Sequence, residues 1–431
     1  MNPESSAQHL ENNGRQQPLI GLAKIMRMIF SGIDLAPLGT QLVARAEANS
    51  GTVDANAFMD LFTILLLRGD RELALSMQEQ ALQLQQIYSP PTTSETVAIR
   101  VLALMGAGDL MANTPIELLL ENSDVALNLL YVGPQLPLPP SLPEHDVLFV
   151  AVGESEENIP LLQELDSALK SWPRPILNMP GRIALLSRDS ACALLKSAPG
   201  VVMPDTARIS RFALGQVGRD ELSVTSVLAD GVFPVIVRPV DSHAGKGLDK
   251  LDNPDAIANY LQTMTQDEFY ISRFVDYRSK DGQFRKYRIV LIEGHPFICH
   301  MGISSHWMIH YLNAGMTESA EKRAEEERFM VNFDEEFAIR HKDAFRFIHE
   351  RMGLDYLGID CGETADGSLL IFEVDSNMVV HALDPVDIFP YKQPQMRKVF
   401  SAFWEMIASA SSTANNNKGD TTSNGYKAKI K

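Results

Sequence analysis

The chain has 431 residues, 45% hydrophobic and 22% charged, a globular composition too long for one ordinary core and suited to two or three. Its formal net charge of -17 argues against a general nucleic-acid or anionic-membrane binder, because both need clustered Lys and Arg. A local basic pocket for phosphate remains compatible with that charge.

The N-terminal residues 1–17 are polar, unlike a secretory signal, and are expected to form a disordered tail. Residues 18–90 read as helical. Two apolar-periodic segments flank Arg68-Gly69-Asp70, and Pro90 stops the second. Ala74, Ala81 and Leu82 then share one face, a pattern similar to a tetratricopeptide repeat. Only one good copy is present, where a solenoid needs roughly three. The plain reading is a helical hairpin that caps the next domain; the alternative is a surface for a protein partner.

Residues 97–183 change period. TVAIRVLALMG, ALNLLYVG, HDVLFVAVGE and PRPILNMP are short apolar runs of the kind found in buried parallel strands, and NIPLLQELDSALKSW is an amphipathic helix. This alternation predicts a small α/β domain. Residues 184–408 mix helices with antiparallel strands, so α+β is the fold class expected for the chain. Residues 409–431 are rich in Ser, Thr, Asn and Lys and read as a second tail. Three cysteines with no CxxC, and no apolar run near the roughly 20 residues of a membrane helix, point to a reducing cytoplasm with no membrane attachment.

Three segments carry chemistry. In FPVIVRPVDSHAGKGLDKL a β-branched strand bears Arg238 and runs into a loop with Gly245, Lys246 and Gly247. Glycines let backbone N–H groups approach phosphate oxygens, and Arg238 and Lys246 would add charge-assisted bonds. No GK[ST] precedes a helix, so this is not a Walker loop; a surface hairpin turn is the bland alternative. In YLGIDCGETADGSLLIFEVDSNM, Ala365-Asp366-Gly367 reads as a hairpin turn that brings Asp360 near Glu373, Asp375 and Asn377. Such a carboxylate cluster calls for a neutralising cation, and oxygen-only donors suit Mg2+ or Mn2+. The third segment, EFYISRFV, is a strand whose end can offer backbone groups to a flat ring, or else a plain core strand.

In this order the pieces resemble the ATP-grasp superfamily, carboxylate–amine ligase type, similar to ribosomal-protein glutamate ligase and glutathione synthetase. The resemblance covers about residues 172–405. It implies an ATP-grasp fold behind a pre-ATP-grasp α/β domain and the N-terminal helical hairpin. It implies ATP and Mg2+ as cofactors, and small-molecule or peptide carboxylate and amine substrates joined through an acyl-phosphate. Carried over by position, Arg188 and Arg238 stand where the family has phosphate-binding lysines. Arg273, Phe274 and Val275 correspond to the adenine-holding strand, and Asp276 to a ribose contact. Asp360, Glu373 and Asp375 correspond to the metal ligands, with Asn377 a substitute for the family's Asn, which is Asp375 here. Arg288 corresponds to the Arg facing the transferred phosphate, and with Arg238 it forms the implied catalytic pair. Arg in place of Lys keeps charge but changes geometry. Two rivals stay in view: an ATP-grasp kinase acting on a hydroxyl, which needs the same nucleotide site and differs only in the acceptor pocket, and a non-catalytic ATP-binding protein, which the Arg and Asp departures keep open.

His300, His306 and His310 follow in CHMGISSHWMIHY. His306 and His310 would share a helical face, either as substrate contacts or as structural residues. The charged stretch from 317 to 353 reads as helix with solvated acids, a scaffold and not a site.

Overall fold

A computed structural model describes residues 17–47, 53–92, 94–242 and 245–416; the segments 1–16 and 417–431, most of both expected tails, lie outside the described residues. The fold is α+β, built on three sheets.

The chain starts with four helices, α1 (Leu22–Phe30), α2 (Ala36–Ala46), α3 (Ala55–Leu67) and α4 (Arg71–Leu84). Helices α3 and α4 form the expected hairpin, with Gly69 at φ 88 supplying the left-handed turn residue. Ala74, Ala81 and Leu82 are buried in one core with Ile99, Val101 and Ala103, so α4 lies on a sheet, while Ala57, Leu61 and Ile64 of α3 pack on Ile25 of α1 and Leu42 of α2. Helix α1 is fixed by a fully buried acid. Asp60 of α3 accepts the N–H groups of Ile20 (3.1 and 3.0 Å) and Gly21 (3.1 Å) just ahead of it. Burial outweighs these N–H bonds and pushes the Asp60 carboxyl up to about 6.

The first sheet holds β1 (Ile87–Tyr88), β2 (Ile99–Gly106), β3 (Val125–Val132), β4 (Val147–Val150) and β5 (Ile176–Leu177), in the order β1-β3-β2-β4-β5. All neighbours are parallel except β1, which pairs antiparallel with β3. Helix α5 (Ile116–Leu119) lies between β2 and β3, helix α6 (Ile159–Leu169) between β4 and β5, and helix α7 (Pro180–Ile183) follows β5. Helix α8 (Arg188–Leu195) and strand β6 (Val201–Val202) then lead into the second sheet.

The second sheet is antiparallel, in the order β7-β10-β8-β9: β7 (Thr206–Ser210), β8 (Val235–Pro239), β9 (Asp249–Leu251) and β10 (Glu268–Arg273). Helices α9 (Arg211–Gly218) and α10 (Pro254–Thr263) cover one face with a core of their own around Leu214, Ile257 and Phe269. The other face is left to line a cleft.

The third sheet runs β12-β11-β13-β14-β6, with β11 (Phe284–Ile292), β12 (His295–Ser304), β13 (Tyr356–Glu363) and β14 (Leu369–Asp375) antiparallel. The charged stretch forms α11 (Ala320–Asn332), α12 (Phe337–Arg340) and α13 (Lys342–Met352). One of its acids is not solvated. Glu326 is fully buried and accepts from Met301 N (2.9 Å), Tyr311 Oη (3.0 Å) and Tyr391 Oη (2.7 Å), with Lys392 at 3.6 Å. The last helix, α14 (Lys392–Asn416), runs past the point where the sequence turns polar. Its Phe403 ring meets Phe149 of β4 at 5.7 Å and Tyr356 of β13 at 5.3 Å, tying the parallel sheet to the third sheet. The three cysteines are free and buried. Among the described residues no helix is long and apolar enough to cross a membrane.

Candidate functional site

Strand register lays one row of ionisable side chains across the third sheet. His300 on β12 faces Arg288 on β11, Arg288 faces Asp360 on β13, and Asp360 faces Glu373 on β14. Side chains two residues apart on a strand share a face, which adds Lys286 and Asp375 to the row. The row floors a cleft of about 550 Å³ between the second and third sheets.

Asp360 is 1% exposed and held from two sides. Arg288 donates to it in bidentate fashion (2.8 and 2.9 Å), and Lys286 Nζ stands 2.6 Å away. Burial works against its charge, yet Arg288 and Lys286 outweigh burial and hold the carboxyl far below the ordinary range. Glu373 is bonded by Arg188 Nη2, while Arg188 Nη1 reaches Phe372 O (3.0 Å). Among the described residues no cation pairs with Asp375 in this way. Burial, and then the Glu373 charge, push its carboxyl up to about 7.

Arg238 is the exception among the cations. It is 8% exposed, and among the described residues its guanidinium donates only to Ser242, to the Oγ (3.0 Å) and to the carbonyl. Among the described residues no carboxylate comes within ion-pair distance of it, since the nearby Glu373 is taken by Arg188. Burial and the like charge of Arg188 lower its pKa to about 10. A buried guanidinium without a counter-ion makes this end of the cleft a place for an anion.

The other expected positions separate into two groups. Gly245, Arg273, Phe274 and Val275 line the same cleft. The Phe274 N–H is taken by Pro234 O (3.0 Å), and the Arg273 side chain is tied back to Asp230 (3.0 Å). Among the described residues nothing accepts from the Val275 N–H. Gly245 and Gly247 adopt φ of 73 and 69 in the turn after β8, and a Cβ on Gly247 would meet Pro239 Cδ at 2.8 Å. Lys246 is exposed on that turn. Asp276 instead pairs with Arg278 (2.6 Å) outside the cleft lining. Asn377 is also directed elsewhere: its amide donates to Met111 O (2.8 Å) and accepts from Ser376 Oγ (3.0 Å).

Among the described residues no three His, Cys, Asp or Glu side chains group closely enough to hold a metal ion. Asp360 and Glu373 already face cations, and Asn377 faces the first sheet, so the ligand set is not preassembled. Glu373 and Asp375, which line the cleft with Arg238, are oxygen donors of the kind that suits Mg2+.

His300 and His310 line the cleft and His306 does not. The segment between β12 and the short turn Tyr311–Asn313 is loop, so His306 and His310 share no helical face. Sequence reasoning missed four contributors. Lys286 was readable, since it precedes Arg288 by one strand period. Glu154 lies at the end of a parallel strand, where such sheets place ligand contacts. It borders a small side pocket with Arg188 and Asp375, and burial, then Asp241 and Asp375, push its carboxyl up to about 8. Met26 and Phe30 of α1 also reach the cleft, through a long-range packing that no local pattern reveals.

No family model and no curated protein matches the chain. Solved structures similar to it include a D-alanine–D-alanine ligase from Bacillus anthracis complexed with ATP, 14% identical, with a TM-score of 0.43 over 74% of this chain and 99% of that one. A RimK domain ATP-grasp protein from Sphaerobacter thermophilus is 17% identical, with a TM-score of 0.39 over 72% of this chain and 98% of that one. The VanG D-Ala:D-Ser ligase from Enterococcus faecalis is 13% identical, with a TM-score of 0.43 over 73% of this chain and 99% of that one.

Proposed function

We propose that the chain is an ATP-grasp ligase that joins a carboxylate to an amine through an acyl-phosphate, with ATP and magnesium bound in the cleft. The observation that carries this reading is Arg238, a buried guanidinium whose hydrogen bonds among the described residues go to Ser242 alone, set beside Arg188 and the glycine turn. Nucleotide phosphates would neutralise it. The base would lie against Phe274 and Val275, with the Val275 N–H free to donate to its edge.

Magnesium, arriving with the nucleotide, would supply neutralisation of charge on the phosphate oxygens, with Glu373 and Asp375 as the oxygen donors beside it. Arg188 and Arg238 would bind the phosphates and orient the terminal one. Arg288 and Lys286, fixed by Asp360, would face the carboxylate as it attacks and the acyl-phosphate that results. The turn at Gly245 and Gly247 would close over the reacting groups and exclude water, which otherwise hydrolyses acyl-phosphates.

The test is product identity. Protein incubated with MgATP and mixed acids and amines should release ADP and phosphate and yield an amide by mass spectrometry. A phosphoester would make the chain a kinase, and nucleotide binding with no product from any pair would make it a binder.

A further inference from the structure

The cleft continues beyond Arg288 and Lys286, away from Arg238. Helix α1 closes that end with Met26 and Phe30, and the Phe30 ring packs edge-on to His381 at 5.1 Å. The loop after β12 presents Leu312 to the same cleft, and the segment after β14 adds Met378. Phe30 is 40% exposed and Leu312 79% exposed, although both border one concave space. Large apolar side chains left open around a common pocket mark a ligand surface.

The polar groups here point the same way. Asp384, an acid at this end, is bonded to Lys392 (3.0 Å), and Lys286 and Arg288 are committed to Asp360. Besides these, the described residues lining this end contribute imidazole, phenol and carboxamide groups (His300, His310, His381, Tyr311 and Asn313), so a charged substrate side chain would compete with the reacting carboxylate for Lys286 and Arg288. Arg288 also donates to Val379 O (3.3 Å). A carboxylate held at Arg288 therefore has the segment of Met378 as its immediate neighbour.

We propose that the acid activated in this cleft carries an apolar body, aliphatic or aromatic, seated against Phe30, Leu312 and Met378. This inference rests on the ligase reading above and names its substrate class. Helix α1 thus acts in specificity, and its anchoring by Asp60 keeps Phe30 in place.

Hydroxylamine trapping tests the acid without knowledge of the natural amine. The carboxylate oxygen attacks the terminal phosphorus of ATP and ADP leaves. The hydroxylamine nitrogen then attacks the acyl carbon, the bond from that carbon to the phosphate oxygen breaks, inorganic phosphate departs with the electron pair, and the nitrogen gives a proton to water. The full chain with MgATP and hydroxylamine is offered isocaproate, phenylacetate and L-leucine, against acetate, succinate and L-glutamate. Hydroxamate should form with the apolar acids. Phe30→Asp and Leu312→Asp, both at exposed positions, should raise the half-saturating concentration of those acids about tenfold or more, with that of MgATP unchanged within about twofold. Hydroxamate only from small or acidic acids overturns the proposal. So does no hydroxamate from any acid while MgATP still raises the unfolding midpoint, a result that leaves the nucleotide site standing. Absence of any MgATP effect on folded protein removes the ligase reading and this inference with it.

Discussion

Replacing Asp360 with Asn isolates the electrostatic centre of the cleft. Asp360 is 1% exposed and balances Arg288 at 2.8 Å and Lys286 at 2.6 Å, whose side chains are each 22% exposed. The substitution keeps the volume and removes the charge, leaving two largely buried cations face to face. Breaking a buried pair from one side costs about 3–5 kcal/mol. At roughly 2–4 °C per kcal/mol, the unfolding midpoint should fall by about 6–20 °C. Urea unfolding gives the free energy directly, provided the m-value is unchanged. Adding Lys286→Met should recover part of the loss, and the double-mutant cycle measures the coupling. The folded-state pKa of Asp360 is depressed, so its stabilisation is present above the unfolded value near 4 and is lost only as pH falls toward the folded one. The gap between parent and variant should therefore be constant from about pH 5.5 to 8. A loss below about 1 kcal/mol, or a gap that changes through neutrality, would refute the pairing described for Asp360.

Asp60→Asn should behave in the opposite sense. Burial raises the Asp60 pKa to about 6, so the ionised form opposes folding and the group's contribution is lost as pH rises through that value. The variant should gain stability relative to the parent between pH 5 and pH 8 in thermal unfolding; an equal loss at both would contradict this. Gly247→Ala should cost about 1–2 kcal/mol, because the residue sits at φ 69 with Pro239 Cδ 2.8 Å from the new Cβ. A melt that matches the parent would mean the turn is not held in that conformation. Asp375→Asn removes the carboxyl that burial and Glu373 push up to about 7, so metal-free ATP should bind more tightly at pH 8 and unchanged at pH 6. Isothermal titration at the two pH values separates this from a pH-independent effect.

How much of this was legible follows from the range of the interactions. The hairpin turn at Thr364–Ser368 is a local signal, with Gly367 at φ 83, and strand period then sets Glu373 opposite Asp360. The four parallel strands of the first sheet are continuous apolar runs, and each is visible without tertiary context. The strand β1 was hidden because Gln85 and Ile87 continue a helical pattern, and only pairing with β3 makes that segment extended. The burial of Glu326 depends on Tyr391 and Lys392, far along the chain, so no window around α11 distinguishes it from its solvated neighbours. For Asn377 and Asp276 local spacing was a poor guide: a carboxamide two residues from Asp375 reaches Met111, and Asp276 turns to Arg278. The role of α1 in the cleft rests wholly on packing at long sequence separation.

The buried guanidinium of Arg238, with no carboxylate partner among the described residues, is the group proposed to bind nucleotide phosphate. Thermal unfolding of the parent and of Arg238→Met, each with and without MgATP, addresses it most directly. At a hundred times its dissociation constant a ligand adds about 2.7 kcal/mol, a rise of about 5 °C or more in the midpoint. The parent should show that rise, and Arg238→Met, folded and stable without nucleotide, should lose most of it. An equal rise in both proteins, or none in a folded parent, would contradict the account.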